Sequence, residues 1–163
     1  MTPESTTAIV TVAEHDRIIH RPDMTSPGFA FSTQFRVRYA EIDGQKVVFN
    51  SRYLEYADVA ITEYWRAADM AALPEWRDAE FHVVHADVTY RKPFRYDDMI
   101  EASVRTERIG TTSLVTLIEL THADTGDQHT SIRITSVNVH LDSGKSLPIQ
   151  GSVRTRITAF DAG

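Results

Sequence analysis

The chain has 163 residues, 42% of them hydrophobic and 25% charged, with a formal net charge of −6 and no cysteine. That size suits one compact domain with a single core, and the acid excess argues against general attraction to nucleic acid or anionic membrane surfaces. The lack of cysteine removes disulfides, thiolate nucleophiles, Cys-type zinc sites and iron–sulfur clusters together. No window approaches the roughly 18 apolar residues of a membrane-spanning helix, and the first residues lack a signal-peptide core, so a soluble cytoplasmic protein is expected.

Residues 1–30 read as an N-terminal extension, punctuated by Pro3, Pro22, Pro27 and Gly28 and without sustained periodicity; residues 31–163 read as a single domain. From Phe31 the pattern becomes regular. Phe31, Thr33, Phe35, Val37 and Tyr39 alternate with polar residues, the period of a half-buried strand. Asp43-Gly44 then marks a turn, and Asn50-Ser51 offers side-chain oxygens to cap a following helix. Along that helix Leu54, Ala57, Ile61, Tyr64, Trp65 and Ala68 form an apolar stripe that stops before Pro74, with Ala71-Ala72-Leu73 as its frayed end. The rest reads as strands: Phe81 to Tyr90, Met99 to Arg108, Leu114 to Thr121 and His129 to Leu141. Leu114 to Thr121 is apolar on both faces and belongs near the middle of a sheet, while the alternation of the last strand shifts near Ser136, the mark of a bulge. Strand, long helix and then a four-strand meander exclude an alternating βαβ sheet and predict an α+β fold: a curled antiparallel sheet of about five strands wrapped around one long helix. One helix leaves sheet uncovered, so a face or edge is expected to meet a second copy.

The chemistry concentrates in the segment from Tyr39 to Leu54. It places a carboxylate, Asp43, in a turn seven residues ahead of a helix start. The first amides of a helix have no intrahelical partner and carry partial positive charge, so they can polarise a carbonyl and stabilise the oxyanion formed on attack. An aspartate is ionised at neutral pH and can attack an acyl carbon or deprotonate water.

The order of elements, and "YAEIDGQKVVFNSRYLEYAD" in particular, resembles the hotdog-fold acyl-CoA thioesterases of the 4-hydroxybenzoyl-CoA thioesterase type. The resemblance covers about residues 33–142 and extends more loosely to "VTYRKPFRYDDMI". It implies a hotdog fold and hydrolysis of an acyl-CoA thioester to free acid and coenzyme A. Asp43 falls on the family's catalytic Asp, and Asn50 on the position whose backbone N–H faces the thioester carbonyl. Val48-Phe49 falls on the family's Val/Ile-aromatic step, and Tyr53 on the first-turn aromatic of the helix. Two positions depart from the pattern: Lys46 stands where the family often has Gly, and Asn50 where relatives often have His or Tyr. Asn cannot act as a general base, so Asp43 must work nearly alone.

Arg91, Lys92 and Arg95, bracketing Pro93, form the densest basic cluster and suit the phosphates of coenzyme A, or else form a surface charge run. Glu55, Asp58 and Glu63 are read as a solvated helix face with Arg52 and Arg66. Tyr53, Tyr56, Tyr64 and Trp65 are read as core. His82 and His85 lie three apart on a strand, hence on opposite faces, and no metal is expected. No cofactor is expected either, coenzyme A entering as part of the substrate. The expected partners are the acyl-CoA and further copies of the chain, as a homodimer or homotetramer. The competing readings are a non-catalytic acyl-thioester or lipid binding protein, an acyl-carrier-protein thioesterase, which the acidic charge disfavours, and a dehydratase, which would require a His at the turn or helix start.

Overall fold

The computed structural model describes residues 26–163, so the expected extension falls largely outside the described residues. In chain order the elements are β1 (Phe31–Arg36), α1 (Arg52–Ala67), β2 (Phe81–Tyr90), β3 (Met99–Ile109), β4 (Ser113–His122), β5 (Gln128–Asn138) and α2 (Gly151–Asp161). Short 3₁₀ turns cover Tyr39–Glu41, Met70–Ala72 and Pro74–Trp76.

The five strands form one antiparallel sheet in the order β1-β3-β4-β5-β2. β4 is central, as its apolar faces predict. Only β3, β4 and β5 form the expected meander; β2 leaves it and pairs with β5 at the far edge. The cause lies in residues 91–98, which carry the chain back across the sheet: the Phe94 carbonyl accepts from Val48, and Val37 and residues 97–98 exchange two backbone bonds. β3 therefore starts beside β1, and Phe31 pairs with Val104 and Arg36 with Met99.

The expected bulge is present but sits on the other strand. Val83 opposes Ser136 and His85 opposes Thr135, so the extra residue is Val84 of β2. The alternation shift in β5 reported the irregularity of the pair without assigning it. The same bulge corrects the reading of the two histidines: His82 and His85 oppose Val137 and Thr135, two apart on β5, and so share a face.

One face of the sheet packs on α1. Phe31, Ile100, Ala102, Val104, Ile118, Leu120, Ile132 and Ile134 bury against Tyr53, Tyr56, Ala57, Ala60 and Tyr64. The buried helix stripe is therefore turned by about one residue from the expected one, and Leu54, Ile61 and Trp65 lie along its flank, lining a groove toward β2. α1 ends earlier than Pro74 predicts, because Asp69 takes a left-handed conformation (φ 51°) that closes the helix end.

The expectation of a single helix is also corrected. α2 docks through Val153 and Ile157 onto Ala68, Met70, Leu114 and Ile149, and its Phe160 ring lies 5.3 Å from Tyr64 and 6.2 Å from Phe31. Its last acid, Asp161, accepts from the Tyr64 hydroxyl at 3.0 Å and from the Thr106 amide at 2.9 Å.

Candidate active site

The turn that carries Asp43 is a small hairpin. Ile42 and Val48 form a bridge, the Asp43 amide donates to the Val47 carbonyl at 2.9 Å, and Lys46 donates back to the Asp43 carbonyl at 3.0 Å. An Asx turn completes it, the Gln45 amide donating to Asp43 Oδ1 at 2.7 Å. The conformation with φ > 0 falls on Lys46 (φ 63°) and not on Gly44, the residue of this turn that could adopt it at least cost.

The hairpin delivers the chain to α1. The N-cap is Ser51, and neither its side chain nor that of Asn50 caps the helix, contrary to the expected role of the Asn50-Ser51 pair. Ser51 has helical dihedrals (φ −68°, ψ −24°), so its oxygen is not placed over the first-turn amides as a capping residue's would be. The Arg52 amide donates to Phe49 and the Leu54 amide to Ser51. Those of Asn50, Ser51 and Tyr53 have no hydrogen-bond partner among the described residues. Uncapped amides at a helix start are donors available to an incoming oxygen.

Two of these residues, Asn50 and Tyr53, line a pocket of about 210 Å³ together with Val48, Tyr90, Arg91, Lys92 and Pro93. Three of the expected acyl-binding residues, Val48, Asn50 and Tyr53, thus share one cavity with two of the basic residues. Phe49 is half exposed beside it. Arg95 does not line the pocket; its amide donates to Asp98 Oδ2 at 2.7 Å. The basic side chains also have partners within the chain. Lys92 Nζ pairs with Asp127 at 2.8 Å, and Arg91 donates to Ser131 Oγ at 2.8 Å, which in turn donates to Glu119.

Tyr53 is buried, as expected of core, and its hydroxyl accepts from the Phe94 amide at 3.2 Å; burial is the main cause raising its pKa. Tyr90, which the sequence reading left as strand alone, reaches back to donate to the Asn50 carbonyl at 3.0 Å. Behind the pocket His129 stacks on Phe94 with ring centroids 4.2 Å apart, and its carbonyl accepts from both the Arg91 and Lys92 amides. Burial lowers the His129 pKa, so the ring is held neutral.

Another residue the sequence reading missed is Glu41. It is buried, and its carboxylate accepts from the Tyr56 hydroxyl at 2.6 Å and from Arg38 Nε and amide at 2.7 and 2.8 Å. Burial alone would raise its pKa, but these donors and the Arg38 charge outweigh that and hold it below the usual carboxylate value. The available signal was an acid two residues before Asp43 with Tyr56 fifteen residues on, a pairing that only the tertiary fold creates.

Of the helix acids, Glu55 pairs with Arg52 at 2.6 Å and Glu63 with Arg66, as expected of a solvated face. Asp58 instead lines the groove between α1 and β2, a space of about 390 Å³ that also includes Leu54, Ile61, Trp65, Val83 and Ile134. Among the described residues no group of three His, Asp or Glu side chains could hold a metal ion.

The thioesterase superfamily model matches residues 45–128, just over half the chain. The chain belongs to the thioesterase superfamily. The match takes in Val48, Phe49, Asn50, Tyr53 and the Arg91–Arg95 cluster and begins two residues after Asp43. The long-chain acyl-CoA thioesterase FadM of Escherichia coli (strain K12) is 26% identical over 128 residues, which span 77% of this chain and 95% of that one. A thioesterase from Thermus thermophilus, solved in complex with coenzyme A and Zn, superposes with a TM-score of 0.71 at 25% identity, covering 85% of this chain and 99% of that one. A 1,4-dihydroxy-2-naphthoyl-CoA thioesterase from Synechocystis superposes with the same score at 18% identity, covering 80% and 97%. The sheet and α1 are thus those of the thioesterase fold implied by the motif, and the chain is a thioester hydrolase by family. No described helix is long and apolar enough to cross a membrane.

Proposed function

We propose that this protein hydrolyses acyl-CoA thioesters, with the thioester carbonyl directed at the start of α1 near Asn50 and Asp43 as the acting carboxylate. The observation that carries the reading is the pocket in which Asn50 and Tyr53 of the helix start, whose amides have no partner among the described residues, meet Arg91 and Lys92 at the exit of β2. Two routes fit a lone carboxylate. In one, an Asp43 oxygen attacks the acyl carbon, the C–S bond breaks with release of the coenzyme A thiolate, and water then cleaves the anhydride. In the other, Asp43 takes a proton from water as that water attacks, and the same C–S bond breaks. In both, the helix amides stabilise the negative oxygen of the tetrahedral intermediate. Arg91 and Lys92 line the pocket where the phosphates of coenzyme A would lie, giving up contacts to Ser131 and Asp127, and Arg95, outside the pocket lining, would add charge only at a distance. The groove from Leu54 to Trp65 would receive the acyl group, the sheet curling about α1 as in hotdog proteins.

A second copy belongs to this reading, as a homodimer or homotetramer. β2 is a ten-residue edge strand whose Val83 and Val84 are each 61% exposed, an edge that invites pairing. Sedimentation at micromolar concentration is expected to give a dimer or tetramer; a monomer would contradict this part. Thiol release from a panel of acyl-CoAs tests the function itself. Turnover of at least one member is expected, whereas saturable binding without thiol release would make the protein an acyl-thioester carrier, and selective turnover of acyl-carrier-protein substrates would reassign its donor.

A further inference from the structure

Resting on that reading of the site, we infer that Glu41 is a positioning residue, whose carboxylate fixes where Asp43 stands relative to the start of α1. Three stretches of chain meet at this one residue, two at its carboxylate and one at its main-chain carbonyl. Arg38, at the exit of β1, contributes its amide, its Nε and a guanidinium nitrogen 2.6 Å from Oε1. Tyr56, in the second turn of α1, contributes its hydroxyl. The third stretch is the far arm of the hairpin, since the main-chain carbonyl of Glu41 accepts from the Phe49 amide at 2.9 Å. Asp43 lies two residues beyond Glu41 on one arm, and the helix begins three residues beyond Phe49 on the other. The clasp therefore spans the two groups whose separation the chemistry depends on.

A carboxylate suits this task better than an apolar plug. An apolar side chain would fill the space, but it would leave the Tyr56 hydroxyl, itself 3% exposed, without its acceptor. It would also tolerate sliding of one element on another, whereas a carboxylate with four donor atoms converging from Arg38 and Tyr56 accepts one arrangement. Against the cost of burial, the Tyr56 hydroxyl first and then the Arg38 donors and charge keep Glu41 ionised, so the clasp stays closed across the neutral range. Nothing in the arrangement brings Glu41 into the pocket, and it takes no part in bond making.

The test uses the full chain with Glu41→Gln, Tyr56→Phe, Asp43→Asn and the Glu41→Gln/Asp43→Asn pair, each confirmed folded by its thermal transition. In Glu41→Gln, kcat for acyl-CoA hydrolysis is expected to fall about ten- to a hundredfold with KM within about twofold, the signature of lost geometry rather than lost binding. Tyr56→Phe removes one donor, keeps the ion pair, and should fall between Glu41→Gln and the native chain; it also serves if Glu41→Gln does not fold. Hydrogen exchange should quicken at the Asp43 and Phe49 amides and not in β4. Adding Glu41→Gln to Asp43→Asn should cost almost nothing further. Unchanged kcat, unchanged exchange at those amides, or a fully additive double variant would each overturn the assignment. If the native chain releases no thiol from any acyl-CoA, the proposed function fails, and the exchange rates alone then uphold or overturn the clasp.

Discussion

Helix α1 is tied at both ends by a tyrosine that donates to an acid, buried at one end (Glu41) and half-buried at the other (Asp161), and the two ties differ in kind. At its first turns Tyr56 donates to Glu41, beside an arginine. Two turns later Tyr64 donates to Asp161, which also accepts from the Thr106 amide and feels the Arg105 charge at longer range, outside a hydrogen-bonded ion pair. The consequence shows in the carboxyls. Glu41 is held below its ordinary pKa, whereas burial pushes that of Asp161 up in spite of its hydrogen bonds. The close ion pair thus stands at the end where the candidate catalytic turn is placed, and at the other Tyr64 joins α1 to β1 and α2 through Phe31 and Phe160. One tie specifies a geometry and the other closes the core.

The largest expected effect falls on the core tie. Tyr64→Ala removes a fully buried ring at the junction of α1, α2 and β1 and should cost about 3–5 kcal/mol of unfolding free energy in urea, the range for large aromatic truncations. Tyr64→Phe keeps the ring and withdraws one donor from Asp161 while the Thr106 amide remains; about 1–2 kcal/mol is expected. A Tyr64→Ala variant as stable as the native chain would remove α2 from the account of the core.

The pH dependence separates the two acids by sign. Because the folded pKa of Glu41 is depressed, the stability it contributes is present above its unfolded pKa and is lost as pH falls through the folded value. Asp161 is opposite: the folded state holds its proton more tightly, so its contribution is largest in acid and declines as pH rises from the ordinary Asp pKa through the raised one. Urea midpoints measured across the acid range should flatten at the low end in Glu41→Gln and at the upper end in Asp161→Asn. Identical profiles in the two variants would contradict the contrast.

The smallest effect concerns the hairpin itself. Lys46 bears the cost of a left-handed backbone without the freedom of glycine, so Lys46→Gly should stabilise the chain by about 0.5–1 kcal/mol, the strain relieved less the entropy glycine adds to the unfolded state.

Much of this was readable in the residues, and the exceptions share a cause. Strand positions followed from alternation, and the turn at Asp43 and the start of α1 followed from turn chemistry and a family pattern, all of them local signals. β2 was placed correctly along the chain and wrongly in the sheet, because pairing with β5 is decided by the return path of residues 91–98. α2 went unseen although Ile149, Val153, Ile157 and Phe160 recur at helical spacing, since threonines and arginines between them dilute the stripe. Asn50 and Ser51 have capping side chains that do not cap, which leaves the amides open at the place where the chemistry would use them. Glu41 and Asp161 depend wholly on partners far away in sequence.

The central claim is that Asp43, in the hairpin that leads into α1, drives thioester cleavage with the helix-start amides as donors. Its most direct test is the rate of thiol release by Asp43→Asn on the acyl-CoA that the native chain turns over fastest, with the thermal transition recorded alongside. A fall of at least about a hundredfold with the fold retained is predicted; a folded Asp43→Asn protein that hydrolyses the substrate at the native rate would contradict it.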